Sequence, residues 1–443
     1  MTPEDTLASM EGVITDLFYW ISIALMICIH AGFLAYEVGA SRSKNVLAAA
    51  MKNLLTFAVV IATFFFFGWW FYNAFYQFPV GAIDGATAAL PWSEDMGPNL
   101  ASVTGIFWGA FALFAATTGS IMSGAVLERI RTSGFLVLTT VLGSVVWIIG
   151  AAWAWHPTGW LLTEWGWHDF GAAGCVHLIA GAFTLGVLMN LGPRIGRFVK
   201  GKAITIPPHN LPLTMLGLML IFVGFFGFLM GCVVYTNTGY FSIFGNPTTL
   251  SAIAFSTLMG LAGGIIGAYM TSKGEPFWTI SGGLAGVISV APGMDLYHPA
   301  LAFVIAVVGG MLIPQFGRLL EKFEIDDVVG AVSVHGGCAL YGIAVSGFVL
   351  WGYPNTPIEG FGTPPDINPL GQIGGGIVLA LLGFLPGYLI SLGLKRANLL
   401  RIPAEVELAG LDLSEVPATP YPEGIPITTL RESDAVLAEE GTS

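Results

Sequence analysis

Charge is scarce in this sequence of 443 residues. Only 10% of the residues are Asp, Glu, Lys or Arg, whereas 55% are hydrophobic and the mean hydropathy is +0.76. A soluble domain has about a quarter of its residues charged, so the composition excludes an ordinary soluble protein. The strand alternation of a membrane β-barrel is also absent, which leaves helices as the structure that satisfies the backbone in lipid.

Paired cysteines and a basic N-terminal region are missing too. The four cysteines, Cys28, Cys175, Cys232 and Cys338, lie inside apolar runs and form no CxxC pair. This pattern argues against a disulfide framework and a local zinc site, so we expect free thiols. We also expect no cofactor and no nucleic-acid partner. The N-terminus is acidic where a signal peptide is basic, which predicts that the first apolar run is retained as a helix.

Long apolar runs are abundant. A bilayer core of about 30 Å requires about 20 apolar residues per helix. Eleven such runs are present, at residues 13–36, 54–76, 104–127, 134–156, 171–192, 211–236, 248–271, 277–292, 299–317, 328–351 and 370–394. The sequence therefore predicts an all-α polytopic membrane domain over residues 1–394. A charged tail follows over residues 395–443, and we expect it to be disordered or docked on the inner face.

Basic residues are absent from every second loop between these runs. All 16 Lys and Arg residues lie in odd-numbered loops or after the last helix, at positions 42, 44, 52, 129, 131, 194, 197, 200, 202, 273, 318, 322, 395, 396, 401 and 431. The positive-inside rule assigns those loops to the cytoplasm. The N-terminus is then outside and the C-terminus cytoplasmic, in agreement with eleven helices in the cytoplasmic membrane.

Two acidic residues each precede a histidine by eight positions inside an apolar run. The pairs are Asp169 with His177, and Asp327 with His335. In the predicted topology the two segments run antiparallel, and each histidine lies about 12 Å from its own side of the membrane. Both histidines therefore approach the midplane. Because five helices separate the segments, we predict an inverted repeat of five plus five helices, with one extra helix.

These histidines allow three interpretations. They can simply hydrogen-bond across a helix interface. Alternatively they mark a path for an ion, a substrate or protons, since neutral imidazoles pass protons without a fixed buried charge. Their matched depth favours the second interpretation. A third reading, enzymatic or metal-binding, would use five residues as soft ligands: Cys175, His177, Cys232, His335 and Cys338. Apart from this third interpretation, we expect that the protein binds no metal and is not an enzyme.

Several ordered motifs resemble the ammonium transporter (Amt/Mep/Rh) family, and its Amt branch in particular. They include the first-helix signature at residues 31–45, the Pro208-His-Asn-Leu-Pro212 and Gly224–Phe228 stretches, and the tail segment at residues 401–412. The similarity extends from about residue 15 to residue 413. It implies eleven helices, an inverted repeat, a homotrimer with one pore per subunit, and transport of ammonium or ammonia, with methylammonium as a related substrate.

The resemblance also implies roles for individual side chains. The matching positions are the outer-vestibule tryptophan Trp155, the gate phenylalanines Phe114 and Phe228, the pore histidines His177 and His335, and a structural acid near the vestibule, Asp169. Cation–π attraction is the physical basis for ammonium binding on the tryptophan face. Deprotonation is implied at the histidines, with separate passage of the proton and ammonia.

Departures from the family pattern bear on function. The usual upper gate phenylalanine falls on Ala110, next to Phe111, and the vestibule serine falls on Cys232, a weaker hydrogen-bond partner. These changes predict weaker ammonium recruitment or preference for a more apolar amine, and they motivate an alternative hypothesis, an ammonium sensor with little or no transport. The resemblance further implies regulation by a PII-type signal protein, although the tail departs from the pattern after Asp412.

Overall fold

The computed structural model describes residues 3–83, 103–233, 242–245, 248–355, 364–416 and 418–421, so Arg431 lies outside the described residues. The apolar runs form α-helices, which we number in chain order. They are α1 Pro3–Ala40, α2 Val46–Ala74, α3 Val103–Ala125, α4 Thr132–Val141, α5 Trp147–Trp155, α6 Trp160–Trp165, α7 Ile179–Leu191, α8 Leu211–Gly231, α9 Leu250–Ser272, α10 Pro276–Val290, α11 Pro299–Lys322, α12 Cys338–Val349, α13 Pro369–Arg396, α14 Ala404–Ala409 and α15 Leu411–Glu415.

Within the described residues, three π-helical segments interrupt or begin these helices. Leu142–Val146 joins α4 to α5, Ala173–Leu178 leads into α7, and Val332–Gly337 leads into α12. Between α7 and α8, the chain forms a small antiparallel hairpin of β1 (Phe198–Val199) and β2 (Lys202–Ala203). The two histidine-bearing segments are therefore locally widened helix starts rather than regular α-helix.

Ten helical spans within the described residues are long and apolar enough to cross a membrane. The prediction of an all-α polytopic membrane fold is confirmed. The predicted span at 277–292 corresponds to α10, whose 15 residues are fewer than the about 20 that a full crossing requires. The other ten predicted spans each coincide with one of these ten helical spans.

Close approach of backbones brings the two histidine-bearing elements together. A Cβ added at Gly181 in α7 would lie 2.4 Å from the backbone nitrogen of Gly336. No side chain fits at that distance, so glycine is required where α7 crosses the Val332–Gly337 segment. Small residues at such crossings allow membrane helices to pack backbone to backbone.

The described part of the tail docks on the helix ends where the basic residues cluster. Asp412 accepts hydrogen bonds from the backbone N–H groups of Leu47 (3.1 Å) and Ala48 (2.8 Å), at the start of α2. Glu415 forms a salt bridge of 3.0 Å with Lys52. An acidic side chain at a helix N-terminus satisfies otherwise unpaired donors and favours the helix dipole. Residues 401–415 therefore form part of the folded unit.

Candidate functional site

Each histidine-bearing π-helical segment is capped by the aspartate that precedes it. The carboxylate of Asp169 accepts hydrogen bonds from three consecutive backbone N–H groups, at residues 173–175, over 2.8, 2.8 and 3.0 Å. Asp327 accepts from the N–H groups at residues 331–332, over 2.9 and 2.7 Å. Burial is the larger effect on Asp169 and raises its pKa above the ordinary value in spite of these bonds. The acid-to-histidine spacing thus corresponds to a repeated structural unit.

The two histidines meet inside the bundle. Nδ1 of His177 lies 2.9 Å from Nδ1 of His335, and the rings are 5.0 Å apart at an angle of 26°. Both side chains are buried, with 1% and 5% exposure. One Nδ1 must donate and the other accept, so the pair contains two different tautomers. Among the described residues, Nε2 of His177 is buried without a hydrogen-bond partner, which leaves this nitrogen available for a further hydrogen bond.

Aromatic rings extend from the histidine pair toward one end of the bundle. The ring of Phe228 stacks on His177 with centroids 5.8 Å apart, and Phe114 meets Phe228 edge to face at 4.4 Å. Trp155 lies 5.8 Å from Phe114 and 6.1 Å from Phe111. We call these four rings, Trp155, Phe111, Phe114 and Phe228, the aromatic column. The structure therefore brings the predicted tryptophan and the three phenylalanines into one contiguous group above the histidines.

Trp155 ends α5 and is half-buried. Its indole N–H donates a 2.7 Å hydrogen bond to the backbone carbonyl of Asp169. This bond occupies the polar edge of the ring, so what the indole offers to a cation is its face. Asp169 therefore contributes to the site in two ways: its carboxylate caps the segment that carries His177, and its carbonyl orients the indole.

The remaining predicted site residues lie in different surroundings. Ala110 is fully buried and packs with Phe18 and Tyr19 in a separate apolar cluster, so it is Phe111 that joins the aromatic column. Cys232 follows α8, is half-buried and is a free thiol. Phe225 stacks on His177 at 6.0 Å, in addition to Phe228. Aromatic rings thus cover the side of the histidine pair that faces the column.

One buried polar network escaped the sequence reasoning. Nε2 of His168 lies 3.1 Å from Oδ1 of Asp295, and Nδ1 lies 3.0 Å from Oδ1 of Asn355. The side-chain amide of Gln372 contacts the backbone of His168 twice, accepting from its N–H (2.9 Å) and donating to its carbonyl (2.7 Å). Adjacency to Asp169 was the available sequence signal, because the three partners are 127 to 204 residues away and form no local motif.

Metal ligation finds no support in the geometry. Among the residues that the structure describes, no three His, Cys, Asp or Glu side chains converge in a way that would hold a metal ion. The sulfhydryl of Cys338 instead donates to the carbonyl of Gly309 at 3.6 Å. The fold and the site together define a multi-pass membrane protein with a buried histidine pair beneath a group of aromatic rings.

Comparison with known proteins identifies the family. Residues 17–421 match the Ammonium Transporter Family, and the chain belongs to it. It is 31% identical to ammonium transporter Amt1 of Methanocaldococcus jannaschii over 419 residues, covering 94% of this chain and 98% of that protein. Ammonium transporter Amt2 of Haloferax mediterranei is 30% identical, over 95% of this chain and 92% of its own. The resemblance to the Amt branch is confirmed, and it groups the protein with transporters rather than enzymes.

Solved structures agree on the fold. A protein described as "Sensor Amt Protein" superposes with a TM-score of 0.77 and 25% identity, over 92% of this chain and 100% of that one. Mep2 of Candida albicans gives a TM-score of 0.72 at 22% identity, over 93% and 92% of the two chains. The arrangement of helices is therefore that of the Amt and Mep proteins.

Proposed function

We propose that this protein carries ammonium across the cytoplasmic membrane as ammonia and a proton. The observation that supports this most strongly is the direct contact between Nδ1 of His177 and Nδ1 of His335, buried beneath the aromatic column. A cation binds first on the face of Trp155, where the quadrupole of the indole attracts it. Phe114 and Phe228 then act as the gate, because their edge-to-face contact separates Trp155 from the histidines.

The histidine pair supplies a route for the proton. In the neutral pair, the ring that donates through Nδ1–H has a free lone pair on Nε2, and the other ring carries a proton on Nε2. Ammonium gives a proton to the first Nε2 and becomes ammonia. The first ring passes its Nδ1 proton to the second ring, which releases its own Nε2 proton on the far side. Ammonia itself crosses along the apolar wall. The proton transfer leaves each ring in the opposite tautomer, so both rings must flip to restore the donor and acceptor positions before the next proton is accepted.

We also propose the topology and assembly that the resemblance implies. Helix α10 continues into a 3-10 turn at Ala291–Gly293 and serves as the eleventh membrane helix. The two aspartate-capped π-helical segments support an inverted repeat, since each occupies the same place in its half of the chain. We place the N-terminus outside and the C-terminus in the cytoplasm, and assign a homotrimer with one pore per subunit that also accepts methylammonium.

Reconstituted protein tests the transport proposal. In liposomes on a solid-supported membrane, an ammonium pulse should give a current in the wild type, and His177→Ala and His335→Ala should reduce it at least tenfold if protons must pass between the rings. His209→Gln is a matched control, because His209 is bonded to the Ser41 carbonyl (2.9 Å), outside the pair and the column. Unaltered current and ion selectivity in both alanine variants would remove the basis of the proposal.

An ammonium sensor is the second candidate function. The structural likeness to the protein described as "Sensor Amt Protein", together with the thiol of Cys232 where the family has serine, favours it. A sensor binds ammonium on Trp155 but conducts little. The same liposome measurement separates the candidates, because a large ammonium-dependent current is incompatible with a sensor that barely conducts.

A PII-type signal protein remains a proposed partner. The docked tail segment presents α14 and α15 at the end of the bundle that we assign to the cytoplasm, where such a protein would plug the pore. A pull-down from cells shifted from ammonium-poor to ammonium-rich medium should recover the partner in the ammonium-rich sample. Failure to recover it in either medium counts against this regulation.

A further inference from the structure

His168 is a buried imidazolium by the geometry of its partners. Its Nε2 faces a carboxylate oxygen of Asp295, and its Nδ1 faces Oδ1 of Asn355. The amide of Asn355 is fixed in this orientation because its Nδ2 donates to the carbonyl of Trp167 at 2.8 Å. Both ring nitrogens therefore meet acceptors, and both must carry protons to form hydrogen bonds.

The electrostatic surroundings agree with this charge. Burial acts against the imidazolium, but Asp295, Asn355 and Asp169 together outweigh it, so the pKa of His168 lies above its ordinary value. Among the described residues, the titratable groups that face the pair are Asp169, beside His168, and Tyr297, Tyr353 and Cys232, around Asp295. None of these groups is a cation, and it is His168 that places a positive charge beside Asp295.

The network is directly connected to the site. Its side chains are nearly inaccessible, with exposures of 8% for His168, 3% for Asp295 and 0% for Gln372. His168 is followed at once by Asp169, whose carbonyl orients the indole of Trp155 and whose carboxylate caps the segment that carries His177. A displacement of residue 168 therefore moves the vestibule indole and the start of the pore helix together.

We propose that His168 is a positioning residue for ammonium recruitment, and that its ion pair with Asp295 makes recruitment depend on the pH at the outer end of the pore. The inference rests on the proposed transport function. When the imidazolium loses a proton at alkaline pH, the ion pair between His168 and Asp295 is lost together with one hydrogen bond of the network. The Trp167–Asp169 segment then loosens, and the face of Trp155 is no longer held over the entrance.

The test measures ammonium concentration dependence at several pH values on the outer side. In the wild type, the half-saturating concentration should rise as the pH increases through the pKa of His168. His168→Gln should raise it roughly tenfold or more at every pH and remove the dependence, because a misplaced binding group costs rates and affinity steeply. The double variant His168→Gln with Asp295→Asn restores a neutral hydrogen-bonded pair, so it should return close to the wild-type acidic value without the pH dependence.

A control variant and a fallback variant make the result of this test decisive. His298→Gln changes an exposed histidine at the start of α11, at the same end of the bundle, and should leave the profile intact. If His168→Gln does not fold, the double variant decides, and a wild-type pH profile in it contradicts the role of His168. Wild-type protein that neither conducts nor binds ammonium contradicts the proposed function itself. A wild type with a pH-independent half-saturating concentration contradicts only the positioning role.

Discussion

At the scale of single residues, the proposed cation recruitment depends on the indole of Trp155, because its polar edge is already hydrogen-bonded to Asp169 and its face remains available. Replacing Trp155 with Leu removes the cation–π attraction, worth about 0.5 to 2 kcal/mol. The half-saturating ammonium concentration should therefore rise between about twofold and roughly thirtyfold, since 1.4 kcal/mol corresponds to about a factor of ten. Solid-supported membrane currents over a range of ammonium concentrations measure this shift.

A second tryptophan supplies the control for this prediction. Trp351 is 69% exposed near the same end of the bundle, where interfacial tryptophans are common, and it is not part of the aromatic column. Trp351→Leu should leave the half-saturating concentration unchanged. Equal shifts in the two leucine variants would mean that loss of any tryptophan disturbs the protein, and that the indole face has no special role.

Residues differ in how far the sequence alone could identify them. His177 and His335 could be predicted because each stands eight positions after an acid within an apolar run, a local signal that occurs twice. His168 could not, because its charge depends on Asp295 and Asn355, which are 127 and 187 residues away. A single substitution against the family pattern, such as Cys232 for serine, marks a difference without giving its effect on affinity.

At the scale of helices, the hydrophobic pattern predicted that the helices exist and approximately where they begin and end. It did not predict the local backbone geometry within them. The run at 171–192 appears as a π-helical segment, Ala173–Leu178, followed by α7. An apolar run has no periodic feature that distinguishes a widened turn from an α-helical one, since apolar residues occupy all its faces. The carboxylate of Asp169, which satisfies N–H groups at residues 173–175, is part of what holds the wider turn.

Helix ends at the basic side of the bundle are joined by a buried ion cluster. Asp326 has a side-chain exposure of 1% and pairs with two buried guanidinium groups, Arg194 at 2.8 Å and Arg129 at 3.9 Å, and also with the half-buried Arg197 at 3.3 Å. Burial disfavours its charge, but the two guanidinium groups outweigh burial and hold the pKa of Asp326 well below its usual range. Asp326→Asn leaves two buried cations without this partner and should destabilise the protein by about 3 to 5 kcal/mol.

The effect of this substitution has a definite pH dependence. Since the folded-state pKa of Asp326 is depressed, its contribution is complete above the unfolded value of about 4 and is lost as the pH falls toward the folded value. In thermal melting experiments in detergent, the melting temperatures of the wild type and Asp326→Asn should therefore differ most at neutral pH. The difference should become smaller below about pH 4. Glu321→Gln is the control, because Glu321 is 39% exposed, Arg197 keeps its pair with Asp326 in this variant, and such surface pairs contribute less than about 1 kcal/mol. A difference in melting temperature that is the same at all pH values contradicts the depressed pKa of Asp326.

At the scale of the whole molecule, charge placement carried more information than net charge. A total of −12 says little about architecture, but the restriction of Lys and Arg to alternate loops predicts the orientation of every helix. The length of a helix was a less reliable guide to its place in the bundle, because α10 has only 15 residues yet packs among full-length helices. The docking of the tail depended on contacts such as Asp412 with the start of α2, between residues more than 360 positions apart.

The proposed inverted repeat makes a prediction about both histidine-bearing helices at once. Helices α7 and α12 should run in opposite directions, so residues 164 and 351 face outside while residues 202 and 322 face the cytoplasm. All four positions are exposed in the folded chain. Single cysteines at these positions, in a background with the four native cysteines replaced, should react with a membrane-impermeant thiol reagent from one side only. Glu164→Cys and Trp351→Cys should react in intact cells, and Lys202→Cys and Lys322→Cys only in inverted vesicles.

Comparing the four cysteines with one another distinguishes a wrong inverted repeat from a wrong orientation of the whole protein in the membrane. If all four cysteines react from the sides opposite to those predicted, the protein is inserted upside down but the two helices remain antiparallel, and the repeat survives. If residues 164 and 351 react from opposite sides, α7 and α12 run parallel. The two histidines would then approach the midplane from the same face, and the matched aspartate caps would no longer indicate two inverted halves that share one pore.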